Sequence, residues 1–187
     1  YFDHDKYADF LDIVEERADV VINTDVLNET DLENASLLII TNPGSDFTNE
    51  EIEAIKDFIR SGGSLLILGN WYKYYSVNLT KITGEFGIIF VNSSMYDPTN
   101  NTGKSYYPLV YNFSTLNLNA QFMAEGVVNV SYSGGMLNVT GKAFAVAFGD
   151  SDTYAKDPSG QTITTGYEVI PFAAVDLLDG GRIFASG

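Results

Sequence analysis

Residues 36–70 read SLLIITNPGSDFTNEEIEAIKDFIRSGGSLLILGN, and the fold is decided here. Ser36–Thr41 is a continuous apolar run of strand length, Asn42–Phe47 is dense in turn formers, and Ser64–Gly69 is a second apolar run. Between them, Thr48–Ser61 has helical spacing: Ile52, Ile55, Phe58 and Ile59 make one apolar stripe, with Glu53, Lys56, Asp57 and Arg60 mostly opposite. Two buried strands joined through a helix form a right-handed parallel βαβ unit. Both helix ends are marked. Thr48 and Glu51 have capping-box spacing, Phe47 and Ile52 are placed for a hydrophobic staple, and Gly62 can take the left-handed conformation that closes a helix.

Working outward, Tyr1–Ala18 reads as a helix with Tyr7, Phe10, Leu11, Val14 and Ala18 on one face and Asp3 or Asp5 as its cap. Asp19–Asn23 reads as a short strand and Asn28–Asn34 as a turn or short helical piece. Beyond the central unit, Thr80–Gly87 fits a short helix, Ile88–Val91 a third buried strand and Asn92–Tyr107 a long polar loop. Pro108–Met123 is ambiguous. Val127–Thr140 switches to period two and reads as a β-hairpin turning at Gly134–Gly135, with one wet face. Ala143–Gly149 is a strand, Asp150–Gly160 a loop, and Val169–Leu178 with Gly181–Ser186 a final hairpin across Asp179–Gly180. The expected architecture is a single α/β domain over residues 1–187, three-layered and mostly parallel, with an added β-hairpin region toward the C-terminus.

The 187 residues suffice for one domain with its own core. A net charge of −15 argues against nucleic acid and against anionic lipid as partners. No stretch has the length and hydropathy of a membrane span. With no cysteine, there is no disulfide, thiolate nucleophile or iron–sulfur cluster. N-x-S/T sequons begin at Asn28, Asn34, Asn78, Asn92, Asn100, Asn112, Asn129 and Asn138. That density points to a glycosylated extracellular or cell-surface protein, and without cysteine it suits an archaeal surface.

Ligands of open α/β sheets bind beyond the carboxyl ends of the strands. There the sequence places Asn42 and Asp46 after the first strand and Asn70, Trp71, Tyr72, Lys73 and Tyr74 after the second. Aromatic faces beside amide and amine donors suit a glycan, another small molecule or a protein segment. Asp150, Asp152 and Asp157 are weak candidates for a Ca²⁺ site, and no other cofactor is expected. Asp46, Asp97, Asp150 and Asp152 are the carboxylates from which a hydrolase pair could be drawn. His4 lies between Asp3 and Asp5 at the N-terminus.

Four patterns together resemble the class I glutamine amidotransferase-like superfamily, and within it the non-catalytic extracytoplasmic branch related to gliding-motility and intraflagellar-transport auxiliary domains. They are YFDHDKY at Tyr1–Tyr7, the segment Phe47–Gly63, the strand Ser64–Gly69, and GGRIFASG at Gly180–Gly187. The resemblance implies a flavodoxin-like or amidotransferase-like sheet, with a strand before the opening helix and a continuation after the last strand. On that reading the sequence is a fragment. It also implies a nucleophilic cysteine at the turn where this chain has Asn70, so no catalytic residue is assigned. The expected function is therefore a non-enzymatic extracellular domain binding a ligand or partner, inside a larger surface or transport-associated protein. A surface hydrolase acting on glycan or peptide and a structural envelope domain are the alternatives.

Overall fold

In the computed structural model, residues 4–41, 43, 45–70 and 78–187 are described. Helix α1 (His4–Glu15) buries Leu11 and is followed by a coil through Asp19–Asn23. The strand expected at those residues is not formed: Val21 is 89% exposed and Ile22 is also exposed. Alternation of β-branched residues signals a strand only when a neighbour supplies hydrogen bonds, and among the described residues none does.

The central unit folds as its local signals dictate. Short helix α2 (Glu29–Leu32) carries a capping box from Asn28 and leads into strand β1 (Leu37–Thr41). Helix α3 (Asn49–Arg60) begins with the expected box: the Glu51 amide donates to Thr48 Oγ1 at 3.2 Å, and the Thr48 amide to Glu51 Oε2 at 2.8 Å. It ends in a Schellman motif. The Gly63 amide donates to Phe58 O and the Gly62 amide to Ile59 O, with Gly62 at φ +109°. Ile55 and Ile59 are fully buried, and strand β2 (Ser64–Leu68) pairs parallel with β1, Leu37 opposite Ser64 through Thr41 opposite Leu68.

Beyond it lie α4 (Thr80–Thr83), a 3₁₀ turn over Gly84–Phe86, and strands β3 (Ile88–Phe90), β4 (Ser94–Tyr96), β5 (Leu109–Val110) and β6 (Asn112–Phe113). Arg60 of α3 forks onto Glu85 at 2.6 and 2.7 Å, tying the helix to that 3₁₀ turn. Helix α5 (Leu118–Met123) precedes β7 (Val130–Ser131), β8 (Leu137–Val139), β9 (Phe144–Phe148), β10 (Tyr154–Lys156), β11 (Thr162–Thr165), β12 (Phe172–Asp176) and β13 (Arg182–Ser186).

The main sheet has the order β1-β2-β13-β12-β9-β6. Its first three strands are parallel and the remaining pairings antiparallel. The α/β class holds, while the sheet is mixed rather than mostly parallel. The final hairpin forms as expected, β12 against β13. The hairpin expected within residues 127–140 does not: β7 pairs with β5, and β8 pairs with β3 outside the main sheet. Ile88–Phe90 is thus buried but is not a third strand of the main sheet.

One sheet face packs under α3, α4 and the β3–β8 pair, burying Leu65, Ile67, Val175, Ile183 and Leu137. On the other, Phe172, Ala174 and Val146 meet Met95 of β4, Val110 of β5, Ala155 of β10 and Ala120 of α5. Short strands and one short helix cover this second face where a helical layer was expected.

The sheet meets α3 at a point with no room for a side chain. The Gly181 amide donates to Ile59 O at 2.7 Å, and a Cβ on Gly181 would lie 1.6 Å from Gly63 O. A Cβ on Gly62 would meet nothing within 4 Å, so only its positive φ opposes a side chain there. Gly181→Ala is expected to cost more than the ~1 kcal/mol typical of alanine at a left-handed glycine such as Gly62, because backbone must move. Equilibrium unfolding of both variants checks the order; equal losses would show that the approach yields easily.

Candidate functional site

Strands β1, β2 and β13 end in register at Thr41, Leu68 and Ser186, so their carboxyl ends share one edge. Of the residues expected there, Asn42, Trp71, Tyr72, Lys73 and Tyr74 lie outside the described residues. Asp46 is exposed; it accepts from Asn78 Nδ2 and sits 3.6 Å from Lys81 Nζ. Asn70 is half-buried just past β2, where the Gly69 amide donates to Ser186 O at 2.7 Å. On the far side of β13 the chain closes over the edge. Tyr132 hydroxyl lies 2.6 Å from both Gly135 O and Gly187 O and donates its one proton between them. Burial raises the Tyr132 pKa above the ordinary phenol value. The cavity beside this turn, lined by Ser94, Met95, Tyr106, Tyr107, Ser133 and Gly134, measures about 50 Å³. Small-molecule sites run to roughly 300–1,000 Å³, so that cavity has no room for a sugar.

The polar centre of the described residues is elsewhere. Asp97 follows β4, and Asp150 and Asp152 follow β9; one oxygen from each lies within 4.8 Å of the others. Asp97 and Asp150 are buried. Asp97 Oδ1 accepts from the amides of Thr99 (2.9 Å) and Asn100 (2.6 Å), and its Oδ2 from Thr153 Oγ1 (3.0 Å). Asp150 Oδ2 accepts from Asn100 Nδ2 (2.7 Å) and Tyr111 hydroxyl (2.8 Å); Oδ1 accepts from the amides of Asp152 and Thr153 at 3.2 Å. Thr99 Oγ1 reaches Asp152 at 3.0 Å. Among the described residues no lysine or arginine joins this group.

The electrostatics follow from these bonds. Burial pushes the Asp150 carboxyl up, but hydrogen bonds from Tyr111, Asp152 and Asn100 outweigh it and hold the group below the ordinary carboxylate range. The bond to Asp150 pushes Tyr111 up to about 12, helped by burial. Asp152 is raised, chiefly by its hydrogen bond with Asp150 and secondarily by burial.

Three converging carboxylates are the right donors for a hard cation. Here every oxygen of Asp97 and Asp150 accepts a protein hydrogen bond, and these bonds staple the loop after β4 to the loop after β9. Asp97, which supplies half of the staple, was not in the expected cation set. Asp157 was, and stands apart: it closes its own turn, accepting from the amides of Ser159 (2.9 Å) and Gln161 (3.0 Å).

Asp150→Asn is expected to cost about 1–3 kcal/mol, since an amide in place of the carboxylate faces the Tyr111 and Asn100 donors with one acceptor fewer. The pH dependence has a definite sign. A carboxyl depressed by folding stabilises above its unfolded pKa of ~3.9, and that stabilisation is lost as pH falls through the folded value. Asp152, raised chiefly through Asp150, contributes in the opposite sense and loses that part of its shift in the variant, so the difference between wild type and variant reports the pair. The wild type is expected to lose more melting temperature than Asp150→Asn below about pH 4; parallel pH curves would remove the staple.

The chain matches the family model described as IFT52 GIFT domain over residues 9–171. No curated protein sequence matches it. Among solved structures, the N-terminal domain of mouse IFT52 superposes with a TM-score of 0.76 at 19% identity, covering 96% of this chain and 77% of that one. A GH42 β-galactosidase from G. stearothermophilus gives 0.43 at 14% identity, over 89% of this chain and 21% of that one. A cytoplasmic protein from Salmonella typhimurium gives 0.48 at 9% identity, over 88% and 64%. The last two similarities are too low to build on.

These findings carry the intraflagellar-transport half of the resemblance and give no support to the amidotransferase half. They also overturn the extracellular, glycosylated, cell-surface reading, and with it the surface-hydrolase and envelope alternatives. The matching family is named for a component of intraflagellar transport, a process inside the cilium. The sequons have another explanation. Asn78 and Asn112 donate their amide nitrogens to Asp46 and to Gly149 O, Asn100 donates its own to Asp150, and Asn28 caps α2. These asparagines build loops and helix ends, so their abundance beside Ser and Thr reflects turn chemistry. With residues 9–171 accounted for by a single model, the chain belongs to the IFT52 GIFT domain family.

Proposed function

We propose that this chain is a non-catalytic docking domain that holds protein partners within an intraflagellar-transport-type assembly. The observation carrying this reading is an apolar surface around α5. Leu116, Leu118, Phe122 and Val128 are between 71% and 99% exposed. Asn117 caps the helix, accepting from the amides of Asn119 and Ala120, and Ala120 is fully buried beneath it. The helix is thereby fixed with Leu118 and Phe122 one turn apart on the same side. Four large apolar side chains turned to water within thirteen residues are what a partner surface would cover.

The rest of the chain agrees with a binding role. One solved structure that superposes on this chain is the N-terminal domain of an intraflagellar-transport protein.

A photo-crosslinking residue at position 122, introduced in the native host, tests the reading. The expected product is a covalent adduct with a subunit of the transport assembly, identified by mass spectrometry and weakened by Leu118→Glu. The same probe at exposed Asn138 serves as control. Because Leu118 is on the surface, its change is expected to move stability by no more than about 0.5 kcal/mol. Equal yields at positions 122 and 138 would sink the α5 surface as the docking site.

A further inference from the structure

Among the described residues, one buried side-chain polar atom is left unpaired by the fold. Ser94 is 3% exposed, and its Oγ has no hydrogen-bond partner. A buried hydroxyl without a partner is destabilising, and native proteins carry few. Ser94 lines the cavity of about 50 Å³ that it shares with Met95, Tyr106, Tyr107, Ser133 and Gly134. The cavity is a notch along the edge of β4. On that edge the Met95 amide donates to Gly134 O at 2.9 Å and the Asp97 amide to Ser105 O at 2.7 Å, and the other lining residues come from the two segments those bonds hold. Both walls are fixed. The Tyr107 amide donates to Lys104 O at 2.8 Å and the Thr102 amide to Tyr107 O at 3.0 Å, which closes the loop carrying the two tyrosines. A Cβ on Gly134 would lie 2.1 Å from Gly187 O and 2.6 Å from the Tyr132 hydroxyl, so backbone fills the other side. The mouth is open to water, since Tyr106, Tyr107 and Ser133 are exposed.

The lining selects an acceptor. Ser94, Tyr106, Tyr107 and Ser133 each bring a hydroxyl proton, and among the described residues no carboxylate lines the cavity. Lys104 Nζ stands 5.5 Å from the centre of the Tyr106 ring, and Lys156 is directly opposite Ser94 in the β4–β10 pairing. Between Asp97 and Glu125, Lys104 is the only charged residue, and none lies between Glu125 and Lys142. Asp97, just past β4, already accepts from Thr99, Asn100 and Thr153. A cavity this small holds a few atoms, since one water takes up about 30 Å³ of liquid. A small group that only accepts and carries negative charge is a carboxylate. Two exposed tyrosines at the mouth suit a protein contact, where that residue is enriched. We infer that this notch is a socket for one aspartate or glutamate side chain of a partner protein, its carboxylate accepting from the Ser94 hydroxyl and facing Lys104 at the mouth. The net charge of −15 disfavours a broadly acidic partner, so the recognised form is a single carboxylate in a neutral or basic segment. This names a contact separate from α5 and rests on the protein-docking reading.

The test titrates the full-length native protein, labelled with nitrogen-15 at serine and glycine, with acetyl-Gly-Asp-Gly-amide and acetyl-Gly-Glu-Gly-amide. The amide signals of Ser94, Ser133 and Gly134 are expected to shift with at least one of the two, while Ser61 at the end of α3 stays still. Replacing the acid by its amide is expected to weaken binding about tenfold or more, as is Ser94→Ala. Lys104→Gln, on the surface, is expected to weaken it about threefold, and added salt to weaken it further. Because Ser94→Ala removes an unpaired hydroxyl, the variant is expected to melt at or above the wild-type temperature. The proposal is overturned by unmoved Ser94 and Gly134 signals, by equal binding of the amide peptides, or by full-strength binding to Ser94→Ala. A clear drop in the melting temperature of Ser94→Ala would overturn it too, showing that the hydroxyl is bonded within the fold. Equal affinity for sodium acetate would make this a site for a free small carboxylate and overturn the partner assignment. Crosslinking through position 122 with an unresponsive Ser94 would remove this site alone and leave the general docking role standing.

Discussion

The carbonyl oxygen of Ile59 accepts two amides, one from Gly62 within the helix cap and one from Gly181 at the start of β13. That shared acceptor joins the end of α3, the chain entering β2 and the last strand of the sheet. It works only because the residues around it lack side chains. A Cβ on Gly181 would overlap the Gly63 carbonyl, and one on Gly63 would lie 2.3 Å from the Phe58 ring. With the helix end and β13 fixed together, β13 can sit only beside β2, and the order β2-β13-β12 follows.

The central unit was legible because its signals are local. The capping box, the apolar stripe and the glycine stop each involve residues a few positions apart, and all pointed to the same helix. The C-terminal half was legible as strands but not as a sheet. Period-two alternation in residues 127–140 picked out Tyr132 and Leu137 as buried but put Val128, which is 80% exposed, on the same face as Tyr132, and it said nothing about which backbone they would meet. Their partners β5 and β3 are well separated along the chain, and no short-range pattern encodes that choice. Asp19–Asn23 failed for the converse reason: strand-forming side chains with no neighbour to pair with.

The carboxylate cluster divides in the same way. Asp150 and Asp152 were visible as loop acids after a strand. Asp97 joins them from another loop through Thr153, a contact between residues 56 positions apart. Asp157 looked equivalent in sequence, yet its hydrogen bonds are all within four residues and it needs no one else. The sequons misled through a shared chemistry: Asn, Ser and Thr are both the acceptor motif for glycan and ordinary builders of turns and caps. Only the partners of Asn78, Asn100 and Asn112 distinguish the two.

The half-parallel, half-antiparallel sheet sets the order in which the chain can assemble. Strands β12 and β13 are joined by a short turn, so they pair at little cost in loop closure. The parallel contact of Leu65 with Ile183 brings together residues more than a hundred positions apart, which raises contact order and slows folding. A ribosome releases β1, α3 and β2 long before β13 exists. For that interval the inner edge of β2, with its apolar Leu-Leu-Ile-Leu, stays open, and the nascent domain is exposed to mispairing at a strand that ends up held between two parallel neighbours.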